Sequence, residues 1–181
     1  MKINKWIFAL ILAAACCFRF VPHPPNFTPV IAIAVMAVAH FQSRWLQFGF
    51  PLLIMGLSDA IIGYHSLVPV VYGAIFVASL AGYIYRNNLS FSKFLGAGLL
   101  SSILFFLISN FGVWAMSTSY PNTISGLVLC YTAAIPFFHN TVLSTVGTMM
   151  GLYGIQYIIS QYAMPHRVLE TMTLNKEAHS L

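Results

Sequence analysis

Arg19 and Asp59 are the residues of this chain best placed for ligand chemistry, each a charge set in an apolar run about one helical turn from its end. A charge at bilayer depth costs roughly 2.5–3.5 kcal/mol on insertion scales, so such ions pair or face a cavity. Asp59 is the only acid before Glu170. Two readings stand: an ion pair that locks the first and third apolar segments, or a pair of polar anchors for a ligand. Around them gather His23, Asn26, His65, Asn110, Trp114, Tyr120, Cys130, Tyr131, Phe137, Phe138 and Asn140. Amides and the guanidinium would fix polar groups of a small molecule, and the rings would stack on a planar one. Asn110 and Trp114 are four apart and share one helical face, although Trp114 equally suits an interfacial anchor.

Other chemistries find less footing. His23, His65 and His139, with Cys130 and Asp59, supply enough atoms for a transition metal. No pair of them has helical ligand spacing, so no metal site is assigned. No nucleophile elbow, phosphate loop or paired-carboxylate arrangement occurs, so no catalytic residue is assigned and an enzyme is not expected. The alternative is a small membrane-embedded enzyme or metal-binding protein that uses these His, Asp and Cys residues.

The elements that must position these residues follow from composition. Of 181 residues, 59% are hydrophobic and 6% charged, and the mean hydropathy is +0.83, which points to an all-α integral membrane protein. A spanning helix needs roughly 20 apolar residues. The punctuation yields six, near 5–21, 27–42, 45–63, 67–85, 93–114 and 137–160. The net charge of +5 suggests nucleic acid only superficially, since its basic residues stand singly at helix ends and form no patch. Lys2, Lys5, Arg44, Arg86, Lys93, Arg167 and Lys176 fall on one side of the six-span arrangement. The positive-inside rule makes that side, with both termini, cytoplasmic. The polar and aromatic cluster then lies at the outer end of a multi-pass protein of the bacterial cytoplasmic membrane.

Local signals sharpen the picture. Four prolines between Arg19 and Pro29 stiffen the first outer loop, and Thr28 with Pro29 marks the start of the second helix. The apolar N-terminal run could pass for a cleaved signal peptide, but it continues past Ala15 to Phe20 and is expected to be retained. Cys16, Cys17 and Cys130 make no disulfide framework. Residues 1–164 read as one six-helix domain and 165–181 as a short polar cytoplasmic tail. Ala9 and Ala13 open one face of the first helix to close approach by another helix, within the bundle or from a membrane partner.

The series Arg19 to Pro29, Pro51 to Gly63 with Ser58-Asp59, Asn110-Phe111-Gly112-Val113-Trp114, Gly126-Leu127, Cys130-Tyr131 and Pro136-Phe137-Phe138-His139-Asn140 resembles a family of small uncharacterised bacterial membrane proteins. That family in turn is similar to the substrate-binding S components of energy-coupling factor vitamin transporters. The resemblance implies a six-helix bundle whose outer half holds a vitamin or cofactor precursor under a loop lid, here around Tyr120 to Tyr131. It implies that Ala9 and Ala13 dock a transmembrane coupling subunit, with ATP hydrolysis left to partner ATPases. No cofactor of the chain's own is implied. Where the resembled pattern carries an Asp just past Asn140, this chain has Ser144 and Thr145.

Overall fold

The computed structural model describes residues 5–64, 66–86 and 90–178, and within these the side chains of all but 160 and 162–178. Lys2 and His65 therefore lie outside the described residues. Every regular element among those described is helical. Helix α1 is Lys5–Cys16, continued by a 3₁₀ turn at Cys17–Phe20; α2 is Val30–His40; a π turn at Trp45–Gly49 leads into α3, Phe50–Ile62. Then come α4 at Val68–Ser79, α5 at Gly82–Arg86, α6 at Phe91–Met116 and α7 at Ile124–Ala178.

The boundaries have identifiable causes. Thr28 Oγ1 accepts the Val30 N–H at 3.2 Å and the Pro29 carbonyl takes the first helical bond of α2, from Ile33, so a hydroxyl satisfies a donor that the helix start leaves orphaned. Ser90 Oγ accepts from the Lys93 N–H at the start of α6. The π turn precedes Pro51, which has no N–H to continue an α-helical ladder. Helix α3 stops at Gly63, whose φ of 116° is open to glycine and costly for other residues. The Gly63 N–H bonds the Asp59 carbonyl at 2.7 Å, which closes the helix just beyond the acid.

Among the described residues, four helical segments are long and apolar enough to cross a membrane: Trp45–Ile62, Val68–Arg86, Phe91–Met116 and Ile124–Ile159. Helix α2 is apolar but shorter, and its place explains its composition. Every residue from 30 to 39 is buried, and α1, α3, α4, α5, α6 and α7 all pack on it. A helix apolar on every side belongs in the interior. Ala32, Ala34, Ala37 and Ala39 let its neighbours approach closely.

Helix α3 carries the opposite pattern to that of a helix in water. Its inward face holds Met55, Ser58 and Asp59, while Leu57 and Ile61 are 61% and 75% exposed. Polar groups inside and leucines outside fit a chain surrounded by lipid.

Three segments differ from the sequence expectation: α1 and α2, expected within spans 5–21 and 27–42, are helices of only 12 and 11 residues, and the start of α7 lies elsewhere. Residues 124–136, expected as part of an outer connection, are the first turns of α7. Pro136 suggests a break there, but a proline is tolerated in an apolar helix whose neighbours and hydroxyls satisfy the freed groups. The segment after Pro165 lies in the same helix, which runs to Ala178.

Candidate functional site

The 3₁₀ turn at the end of α1 tightens the chain and turns Arg19 toward α3. Its Nη2 donates to Asp59 Oδ1 at 2.6 Å, and its Nη1 donates to Ser58 Oγ and to the Met55 carbonyl at 3.4 Å. Tyr72 of α4 donates its hydroxyl to the other carboxylate oxygen, Asp59 Oδ2, at 2.8 Å. Three elements thus meet at one carboxylate, and both of its oxygens hold a donor. Asp59 is 3% exposed, where an unpaired carboxylate would be strongly disfavoured. The opposite charges at 2.6 Å cancel to a neutral unit with an outward dipole.

Beside this unit lies a cavity of about 330 Å³. Its lining includes the polar residues Arg19, Asn26, Thr28, Ser109 and Asn110 and the apolar residues Met55, Val71, Ile75, Phe105 and Val113. Asp59 and Tyr72 stand behind Arg19, outside the lining. The size sits at the small end of ligand pockets, which run roughly 300–1,000 Å³.

Each polar lining group has a local reason for its position. Asn26 adopts φ 62°, a left-handed conformation that asparagine tolerates better than most residues. It is the third residue of a turn closed by the Phe27 N–H on the Pro24 carbonyl at 3.0 Å. Asn140 of α7 secures this loop by donating to the Pro25 carbonyl at 3.0 Å. On α6, Ser109 donates to the Phe105 carbonyl at 2.6 Å and Asn110 Nδ2 to the Phe106 carbonyl at 2.8 Å. These bonds leave the Ser109 lone pairs and the Asn110 carbonyl for the cavity. Gly112, one turn on, lets α6 approach α4: a Cβ there would overlap the Val70 side chain.

The expected site residues divide into two groups. Arg19, Asn26 and Asn110 line the cavity, and Asp59 backs it. Trp114, Cys130, Tyr131 and Phe138 instead join α6 to α7. Trp114 Nε1 donates to the Pro121 carbonyl at 3.0 Å, Cys130 Sγ to the Asn110 carbonyl at 3.5 Å, and Tyr131 to the Leu107 carbonyl at 2.6 Å. Phe106 packs against both Tyr131 and Phe138, with ring centroids 5.6 and 4.8 Å away. Phe137 and His139 are exposed and Tyr120 half-buried. His23 stacks on Phe18 with ring centroids 6.1 Å apart. Among the described residues no group of three or more His, Cys, Asp or Glu side chains is placed to hold a metal ion.

Ala9 is buried and Ala13 half-buried, and Ala9 belongs to the core built around α2. Residues not singled out from sequence include Tyr72 and Ser109. A lone carboxylate has about four lone-pair sites to fill, so a nearby tyrosine was the available signal for Tyr72. Ser109 has only its adjacency to Asn110. Far from the cavity, His40 Nδ1 donates to the Met36 carbonyl at 3.0 Å and Nε2 meets the Gln156 side-chain amide at 3.1 Å, while Gln47 bonds the Phe41 carbonyl at 2.7 Å and Tyr83 at 2.9 Å.

The family of unknown function DUF6580 matches residues 1–167, and the chain belongs to that family. No curated protein matches it. No solved structure matches it either.

Proposed function

We propose that this member of the family is a membrane-embedded substrate-binding protein for uptake of a small molecule of the vitamin or cofactor-precursor type. The observation that carries the reading is the cavity of about 330 Å³ lined by a guanidinium, two amides and two hydroxyls together with apolar side chains. That combination orients a ligand by a few polar contacts and holds it by apolar burial. In this reading the chain spans the bacterial cytoplasmic membrane several times in a six-helix, S-component-like arrangement, with both termini in the cytoplasm. The bias of Lys and Arg toward one side supports the orientation, and the cavity then opens in the extracytoplasmic half. The chain itself performs no catalysis. The Ala9 face of α1, expected to dock a coupling subunit, is instead packed against the core around α2, so a coupling subunit with its ATPases would have to dock elsewhere to drive release inward.

The binding step proceeds by exchange of water for protein groups. Donors on Arg19 and Thr28 and acceptors on Ser109 and Asn110 replace the ligand's hydration while Val71, Ile75 and Phe105 remove its apolar surface from water. The loop holding Asn26 forms one wall, and Asn140 keeps it in place.

The test is thermal unfolding of the protein in lipid nanodiscs with and without a deproteinised cell extract. Ligand that binds only the folded state raises the midpoint by mass action. The expected result is a rise for the wild type and none for Val71→Trp, whose indole fills the cavity. Equal shifts for both proteins would refute capture at this site.

A further inference from the structure

Resting on the reading of this cavity as a ligand site, we infer that Asp59 sets the charge class of the ligand, and that the site takes an uncharged, single-ring-sized compound bearing an amide or lactam. Among the described residues lining the cavity Arg19 is the one that carries a charge, and by itself it would favour a carboxylate or phosphate. Its charge is already matched from behind by Asp59 at 2.6 Å. Of the five guanidinium N–H groups, three point to Met55, Ser58 and Asp59. The Nε–H and one Nη2 hydrogen remain, as neutral-looking donors on a charge-balanced unit. A carboxylate or phosphate entering here would meet no net positive charge and would lose its hydration.

The other polar lining groups agree. The Ser109 hydroxyl donates to its own helix and so offers its lone pairs, and Asn110 spends one of its two Nδ2 hydrogens there and keeps its side-chain Oδ1 as an acceptor. Thr28 Oγ1 accepts from the Val30 N–H and so offers its O–H as donor. Donors on Arg19 and Thr28 together with acceptors on Ser109 and Asn110 complement a group that both donates and accepts, as an amide or lactam does. Size sets the other limit. A cavity of about 330 Å³ lies at the small end of the roughly 300–1,000 Å³ range of ligand pockets, which suits a compound of about one substituted ring. Asp59 acts through Arg19 without touching the ligand, so it is a positioning residue for charge selectivity.

The experiment uses probe pairs matched in ring and differing in charge: nicotinamide against nicotinate, and uracil against orotate. Binding to the full chain in nanodiscs is measured by calorimetry for wild type, Asp59→Asn and the double variant Arg19→Met with Asp59→Leu. The wild type should prefer the uncharged member by about tenfold or more. Asp59→Asn keeps an acceptor for Arg19 but removes the compensating charge, so its preference should reverse toward the carboxylate. The double variant carries neither charge and guards against a failure of Asp59→Asn to fold; it should keep rejecting carboxylates. A wild type that prefers carboxylates, a folded Asp59→Asn with unchanged preference, or a double variant that gains affinity for carboxylates overturns the inference. Retention of a charged or polycyclic compound by the purified protein overturns it while leaving capture intact. Failure of every probe, with no compound retained, overturns both the inference and the reading beneath it.

Discussion

Arg19 and Asp59, 40 positions apart in sequence, meet at 2.6 Å with the carboxylate's second oxygen held by Tyr72. One bond thus ties the end of α1 to α3, and the next ties α3 to α4. The cavity is framed by these helices and α6, so the ion pair fixes the separation of its walls as well as their charge.

Breaking this pair from one side should cost far more than removing it. Asp59→Ala or Arg19→Met leaves an uncompensated buried charge and should destabilise by ~3–5 kcal/mol, whereas replacement of both by apolar residues of similar volume is often close to neutral. Thermal unfolding of the two single variants and of Arg19→Met with Asp59→Leu measures the coupling. Additive losses would show that the two charges do not depend on each other.

Tyr72→Phe removes only the hydroxyl that donates to Asp59 Oδ2. A buried acceptor left without its donor costs ~1–3 kcal/mol, and the loss should disappear in a background where Asp59 is already leucine. The same loss in both backgrounds would assign the effect to packing instead.

At Gly112 an added Cβ would overlap Val70, so Gly112→Ala should force α4 and α6 apart at the cavity wall. Overpacking of this kind costs ~1–3 kcal/mol. Val70→Ala in the same chain should recover most of it, and unfolding measurements on the pair decide the point.

Trp114 and the cysteines test the clasp between α6 and α7. Trp114→Phe should loosen the turn at 117–123 by removing the N–H bond to the Pro121 carbonyl; limited proteolysis should then cut there faster, with ~0.5–1.5 kcal/mol lost in stability. N-ethylmaleimide should label Cys17, which is exposed, and leave Cys16 and Cys130, which are buried. Fast labelling of Cys130 in the folded protein would mean that the clasp opens.

The helical class and the meeting of Arg19 with Asp59 are legible in the sequence because isolated charges in apolar runs have few places to go. Thr28 at the start of α2 is legible for a similar reason, since a hydroxyl ahead of a proline and an apolar run has a specific task. The aromatic residues are harder. Trp114, Tyr131 and Phe138 share an end of the chain with Arg19, but side-chain direction depends on helix rotation and on where α7 begins. Once residues 124–136 are helical, Cys130 and Tyr131 point across to α6 and bond its carbonyls. Nor does periodicity show that α2 is central, because a helix apolar on all sides looks the same facing lipid or facing protein.

The most direct test of the central claim is mass spectrometry of small molecules released from the gently purified protein, with Val71→Trp prepared in parallel. The account predicts a compound of single-ring size, near one equivalent, from the wild type and its loss from the variant. The same compounds in equal amounts from both proteins would contradict the cavity as the site of capture.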